Sequence, residues 1–164
     1  VDRFKDVNRQ HGQAAGDRVL RAVASAVQAE LQGADNLVAR LAGEEFVALL
    51  PGVSDRELAA AADRVCERVR ALTVDVDGQL GPATVRGLSV SVGAALYPDT
   101  ALYPDTALYP DTALHPDTAL HPDTALHPDT AGLDGLLLTA DNALFSAKDA
   151  GRDGFCVVAA NATG

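Results

Sequence analysis

Two adjacent carboxylates, Glu44 and Glu45, stand inside the segment Arg40-Leu41-Ala42-Gly43-Glu44-Glu45-Phe46. Leu37 to Leu41 and Phe46 to Leu50 are short apolar runs on either side of a Gly-containing turn, the pattern of a β-hairpin. A carboxylate pair at the tip of a hairpin whose strands are expected to be buried does not serve a core. It supplies hard oxygen ligands of the kind that a Mg²⁺ ion carrying a nucleoside triphosphate takes. A solvated hairpin tip would carry the same residues, so the pair gains meaning from what accompanies it.

Upstream stand Phe4-Lys5-Asp6-Val7-Asn8, then Gly12, then Gly16-Asp17-Arg18-Val19-Leu20. Downstream come Ser89-Val90-Ser91-Val92-Gly93, then Ala140-Asp141-Asn142-Ala143-Leu144-Phe145-Ser146-Ala147-Lys148, closing on Gly151-Arg152. This ordered set resembles the GGDEF family of diguanylate cyclases, bacterial enzymes that condense two GTP molecules into cyclic di-GMP. The resemblance covers nearly the whole chain outside one repeat tract.

The resemblance implies the following roles. Metal ions (Mg²⁺ or Mn²⁺) are held in the family by an Asp ending the first strand, by the next residue's backbone carbonyl and by the third signature residue. Carried over, these become the position directly before Val1, then the Val1 carbonyl, and Glu44. Glu45 takes the fourth signature position, associated with metal binding or with activating the attacking hydroxyl. Asn8 and Asp17 match the pair that reads the guanine base. Lys5, Lys148 and Arg152 match the triphosphate-binding cations, and Phe4 and Gly43 also fall on substrate-binding positions. The two lysines of the chain, among thirteen Lys and Arg, both fall on these phosphate positions. For Asp17 a helix N-cap is the other role, and for Lys148 a last-turn cation facing the helix dipole.

Some positions depart from the family pattern. Ala42 replaces the first signature Gly, Arg9 a usual Asp and Gln13 a usual His. If position 42 requires a positive φ, Ala there costs roughly 1 kcal/mol. The family's product-inhibition site uses Arg-x-x-Asp before the signature. Here the stretch is Gly33-Ala34-Asp35-Asn36, so feedback through that site is not expected.

The elements that must position these residues follow from periodicity. A short helical turn is expected over Phe4 to Val7. Val19, Leu20, Val23, Val27 and Leu31 recur at helical spacing, which predicts a helix from Asp17 to Gln32. Ser54 with Glu57 forms a capping box opening a helix that carries Leu58, Ala61, Val65, Val69 and Leu72 on one face. The stretch with Gly78, Gly81 and Pro82 is expected to be irregular. Leu88 to Leu96 reads as a Val-rich strand, Leu133 to Ala150 as the last helix and Phe155 to Ala159 as the last strand. Mixed elements of this kind predict an α+β fold. The resemblance sharpens it to a central, mostly antiparallel sheet flanked by helices, similar to nucleotidyl cyclase and polymerase palm domains. The chain is read as one such domain, residues 1–164, beginning after its first strand, which would leave a sheet edge exposed. The family function then implies that the chain taken by itself is nearly inactive, since the first metal-binding Asp precedes Val1.

The 164 residues suffice for a single core, and a net charge of −10 argues against a nucleic-acid-binding face. No apolar run approaches the roughly 20 residues of a membrane span. Cys66 and Cys156 lie in apolar surroundings without metal-ligand spacing, and are expected to be buried thiols of a reducing compartment. The family setting implies a cytoplasmic, homodimeric domain with GTP as substrate, in a longer protein that carries an N-terminal sensory domain and can be membrane-anchored. A catalytically degenerate domain that binds GTP or a partner protein is the other functional reading.

From Tyr97 to Ala131 the chain repeats Tyr/His-Pro-Asp-Thr-Ala-Leu six times, the last copy lacking its Leu. Deleting five copies joins Thr100 to Ala131 and restores a strand-to-helix loop of ordinary family length. The tract reads as an expansion of that loop, flexible or polyproline-like. A short solenoid is the other reading, though six copies make only about two coils. His115, His121 and His127, each followed by Pro, have no fixed chelating geometry.

Overall fold

In the computed structural model the described residues are 1–96 and 130–159, so the repeat tract lies outside them. Helix α1 runs Phe4–His11 and α2 runs Gln13–Glu30. The helical turn expected over Phe4 to Val7 therefore continues another turn. It stops where Gly12, at φ 89°, donates its N–H to the Asn8 carbonyl and redirects the chain. Helix α2 begins immediately after that glycine, four residues before Asp17, because Gln13, Ala14 and Ala15 are all good helix formers. Asp17 is thus inside the helix and is not its N-cap. Helix α3, Asp55–Arg70, opens on the expected capping box, with the Ser54 and Glu57 side chains each accepting from the other's backbone N–H.

Strands β1, Leu37–Ala42, and β2, Glu45–Leu49, form the expected hairpin. Its strands are less buried than expected. Leu37 and Leu41 are 56% and 66% exposed, since only the face carrying Val38, Phe46 and Ala48 packs on the core. Strands β3, Val74–Gly78, and β4, Gly81–Val85, make a second antiparallel hairpin where irregular chain was expected. The alternation of buried Val74 and Val76, ended by Gly78 and Gly81, is what drives it. Strand β5, Ser91–Leu96, pairs in parallel with β6, Gly154–Ala159, and helix α4, Thr130–Asp149, packs on both. Gly93 allows that approach. A Cβ there would collide with the backbone of Ala140 and Leu144.

The described residues thus form an α+β fold with three two-stranded ladders, two antiparallel and one parallel. One core joins them. Val19, Val23 and Val27 of α2 meet Val65, Cys66 and Val69 of α3, with Val74, Val76, Val85, Leu88 and Val90 closing the layer. Cys66 is buried as expected and burial pushes its thiol up to about 11, whereas Cys156 is only half-buried because it sits on the β6 strand beside the exposed Phe155. Both thiols are free. Val1 and Asp2 run between two ladders: the Val1 nitrogen donates to the Glu44 carbonyl at 2.8 Å and the Asp2 N–H to the Ser89 carbonyl at 2.9 Å. No described helix is long and apolar enough to cross a membrane.

Candidate active site

The signature turn is built by cross-strand pairing. Ala42 faces Glu45 in register, which leaves Gly43 and Glu44 as a two-residue connection. Gly43 sits at φ 47°, where any side chain would be strained, while Ala42 is not among the positive-φ residues. The signature's departure from Gly-Gly therefore falls at the position that tolerates it. Arg40 donates through Nε to the Gly43 carbonyl at 2.8 Å and holds the turn from outside. Glu44 is half-buried against the chain start and Glu45 is exposed as the first residue of β2.

Val1 lies against the signature turn, its nitrogen donating to the Glu44 backbone carbonyl at 2.8 Å. Val1 thus sits beside the turn that carries Glu44 and the exposed Glu45. Among the described residues no three His, Cys, Asp or Glu side chains converge. The donors expected from the sequence at this turn are two hard carboxylates and one backbone carbonyl. That suits an oxygen-seeking divalent ion which completes its shell with water and phosphate oxygens.

A second corner forms between α1 and α2. The Asn8 side-chain oxygen lies directly over Gly16, where a Cβ would overlap it, and the Phe4 ring lies against the same glycine. Gly16 immediately precedes Asp17, so the one missing side chain lets Asn8 approach the turn of α2 that carries Asp17. Asn8 is half-buried and Asp17 exposed, leaving their polar groups open to a ligand edge. Phe4 is 7% exposed, and its ring supports this corner from beneath. Lys5 is exposed at the start of α1, and its side chain makes no hydrogen bond or ion pair among the described residues.

The cations at the end of α4 stand on a cap that the sequence pattern did not disclose. Gly151 N–H donates to the Lys148 carbonyl and Arg152 N–H to the Ala147 carbonyl, the crossed pair of a Schellman motif. The chain then keeps left-handed geometry through Arg152 (φ 67°) and Asp153 (φ 50°), each a strain of roughly 1 kcal/mol or more for a residue with a side chain. Arg70 at the end of α3 compensates with a forked bond to the Asp153 carboxylate, Nε to Oδ2 at 3.1 Å and Nη2 to Oδ1 at 3.0 Å. Asp2 is the other anchor: its carboxylate accepts from Ser91 Oγ at 2.7 Å, Ser89 Oγ at 2.9 Å and the Asp153 N–H at 3.1 Å. Burial raises its pKa, but the three hydrogen bonds outweigh it and hold the carboxyl below its ordinary value.

Arg40, Asp2, Arg70 and Asp153 had no role in the sequence reading. A signal existed for Asp2. Ser89 and Ser91 alternate onto one strand face, so an acid able to meet both hydroxyls was to be sought. A cavity of about 410 Å³ is lined by Asp2, Arg3, Asp6, Gln10, His11 and Arg86 among others, and none of the site residues expected from the sequence lines it.

The family described as "Diguanylate cyclase, GGDEF domain" matches residues 1–115. The chain belongs to the GGDEF domain family. The bifunctional diguanylate cyclase/cyclic di-GMP phosphodiesterase MucR of Pseudomonas aeruginosa is 30% identical over 95% of the chain, which spans 18% of MucR. The diguanylate cyclase TpbB of the same species is 40% identical over 60% of the chain, which spans 21% of TpbB. Among solved structures, the GGDEF domain of TpbB superposes with a TM-score of 0.62 at 30% identity, covering 98% of this chain and 72% of that one. Diguanylate cyclase SiaD, solved in complex with its activator SiaC, gives a TM-score of 0.63 at 30% identity, covering 98% of this chain and 47% of that one. The central palm-like fold expected from the sequence is therefore the fold of these neighbours.

Proposed function

We propose that this GGDEF domain condenses two GTP molecules into cyclic di-GMP, releasing pyrophosphate, within a larger signalling protein. The observation that supports this reading is the seating of Val1 on the Glu44 carbonyl beside the two signature carboxylates, with Asn8 held over Gly16 next to Asp17. In each of two reciprocal steps the 3′-hydroxyl oxygen of one GTP unit attacks the α-phosphorus of the other, the bond from that phosphorus to the oxygen bridging to the β-phosphate breaks, one pyrophosphate leaves, and the hydroxyl proton is accepted at the Glu45 side of the turn, so that ring closure releases two pyrophosphates in all. Glu44, Glu45 and the Val1 carbonyl are the groups that would hold Mg²⁺ or Mn²⁺, and bound there the ion supplies charge neutralisation for the phosphoryl group in transit. Lys148, Arg152 and Lys5 bind the triphosphate oxygens. Asp17 accepts from the guanine ring N–H and amino group while Asn8 bonds the purine edge. Each protomer brings one GTP, so the working unit is a homodimer.

On this reading turnover requires a metal-binding Asp directly before Val1. A longer chain carrying that Asp is expected to form cyclic di-GMP from GTP with Mg²⁺ or Mn²⁺, and the 164-residue chain to form very little, as chromatography of the products would show. Robust turnover by the shorter chain would remove the missing-ligand argument. Absence of product from the longer one would favour the degenerate, GTP-binding reading.

A further inference from the structure

We propose that Asp2 is a positioning residue that couples the metal-side corner to the phosphate-side turn by holding Gly151–Asp153 in place. The proposal rests on the reading of Arg152 as a triphosphate cation. Among the described residues Asp2 is the one buried polar or charged side chain, and its carboxylate is shared between two chain segments far apart in sequence. Ser89 and Ser91 fix it from the start of β5, and it in turn accepts the N–H of Asp153. Asp153 cannot relax away from that bond, because Arg70 grips its side chain from α3.

Asp2 is tied through its backbone as well. Its N–H bonds the Ser89 carbonyl, and the peptide linking it to Val1 carries the carbonyl expected on the metal. One residue thus fixes both the Val1 carbonyl and the left-handed turn on which Arg152 stands. A carboxylate is required for this, since three donors converge on it and an acceptor-only group satisfies them all. Asn would place its NH₂ against at least one of those donors.

The test compares the chain with Asp2→Asn, Arg70→Gln and Arg70→Lys. Hydrogen–deuterium exchange is read at the 151–153 amides, and calorimetric titration uses GTP, guanosine and tripolyphosphate. Asp2→Asn is expected to speed exchange at the Asp153 amide and to weaken GTP and tripolyphosphate by roughly tenfold, the scale of one lost hydrogen bond to a charged group. Guanosine should stay within about twofold, because the base corner does not touch Asp2. Arg70→Gln, on the surface and safe for folding, should reproduce the pattern more weakly, and Arg70→Lys should recover part of it. Unchanged exchange in Asp2→Asn and Arg70→Gln would overturn the proposal. So would GTP and guanosine falling together, the mark of a merely structural role. A chain that binds tripolyphosphate in an Asp2-dependent way but shows no preference for GTP would count against the cyclase reading and for this one.

Discussion

The two corners of this domain are held by opposite means. The base corner is set by packing: Gly16 has no side chain, Phe4 fills the space beneath it, and Asn8 is pressed over it by two helices that share the core. The signature turn is set by a few polar bonds at the edge of an exposed hairpin, one from Arg40 and one from Val1. Packing makes a position intolerant of added volume, whereas polar tethering leaves room for movement and for ligands. The proposed roles match this difference: reading one base suits a packed corner, and taking up metal and phosphate suits a tethered turn.

The sharpest way to break this contrast is at the chemistry itself. Glu45→Gln in a chain extended by the N-terminal Asp is expected to lower turnover by about 10²-fold or more, since the carboxamide keeps shape and loses charge and basicity. Its melting temperature should be unchanged, because Glu45 is exposed and makes no described hydrogen bond or ion pair. A parallel loss of stability would show that the turn is structural after all.

Glycine substitutions sharpen the comparison at the level of folding. Gly16→Ala drives a Cβ into the Asn8 oxygen, so it should cost about 1–3 kcal/mol and weaken the preference for GTP over ATP. Gly43→Ala meets no atom within 4 Å and suffers only its positive φ, about 1 kcal/mol. Thermal melting of both, with nucleotide titration, checks the order. Equal costs would mean that the base corner is as adaptable as the turn.

Much of this was legible in the sequence, for identifiable reasons. The capping box at Ser54 and the apolar stripe of α3 are local signals, and the structure reproduces them within a residue or so. The signature hairpin was legible because a glycine and two acids interrupt apolar runs. What escaped was non-local. The β3–β4 hairpin has a weak pattern, with Asp75 and Asp77 outward and a proline in its second strand, so its partner is found only in three dimensions. The Asp2–Asp153–Arg70 chain links positions as far as 151 residues apart, and no spacing rule connects them. The N-cap role weighed for Asp17 failed for a related reason: Gly12 set the helix start, and capping residues matter only where the chain turns.

Acid sensitivity tests the polar hub specifically. The Asp2 carboxyl titrates below its ordinary value in the folded chain, so its contribution is fully present above the unfolded value, about 3.9, and is lost as pH falls through the folded pKa. Glu57, held low by the Ser54 hydrogen bonds, contributes in the same direction. The difference in melting temperature between the chain and Asp2→Asn should therefore be largest near neutral pH and shrink below about pH 4. A constant difference across that range would mean that the charge of Asp2 is irrelevant and only its shape matters.

The smallest effect is expected from the largest deletion. Removing residues 101–130 joins Thr100 to Ala131, so a threonine still stands where α4 begins and the repeat reading Tyr97-Pro98-Asp99-Thr100 is kept once. Gly93 against Ala140 and Leu144, a contact that fixes α4 on β5, lies well inside both elements. Loop closure costs about 0.6 kcal/mol per doubling of length, so roughly three doublings amount to no more than about 2 kcal/mol, in favour of the shorter chain. Melting temperature should hold or rise slightly, and GTP affinity should not move. A substantial fall in either would make the hexapeptide tract part of the folded domain and would end its reading as an expanded loop.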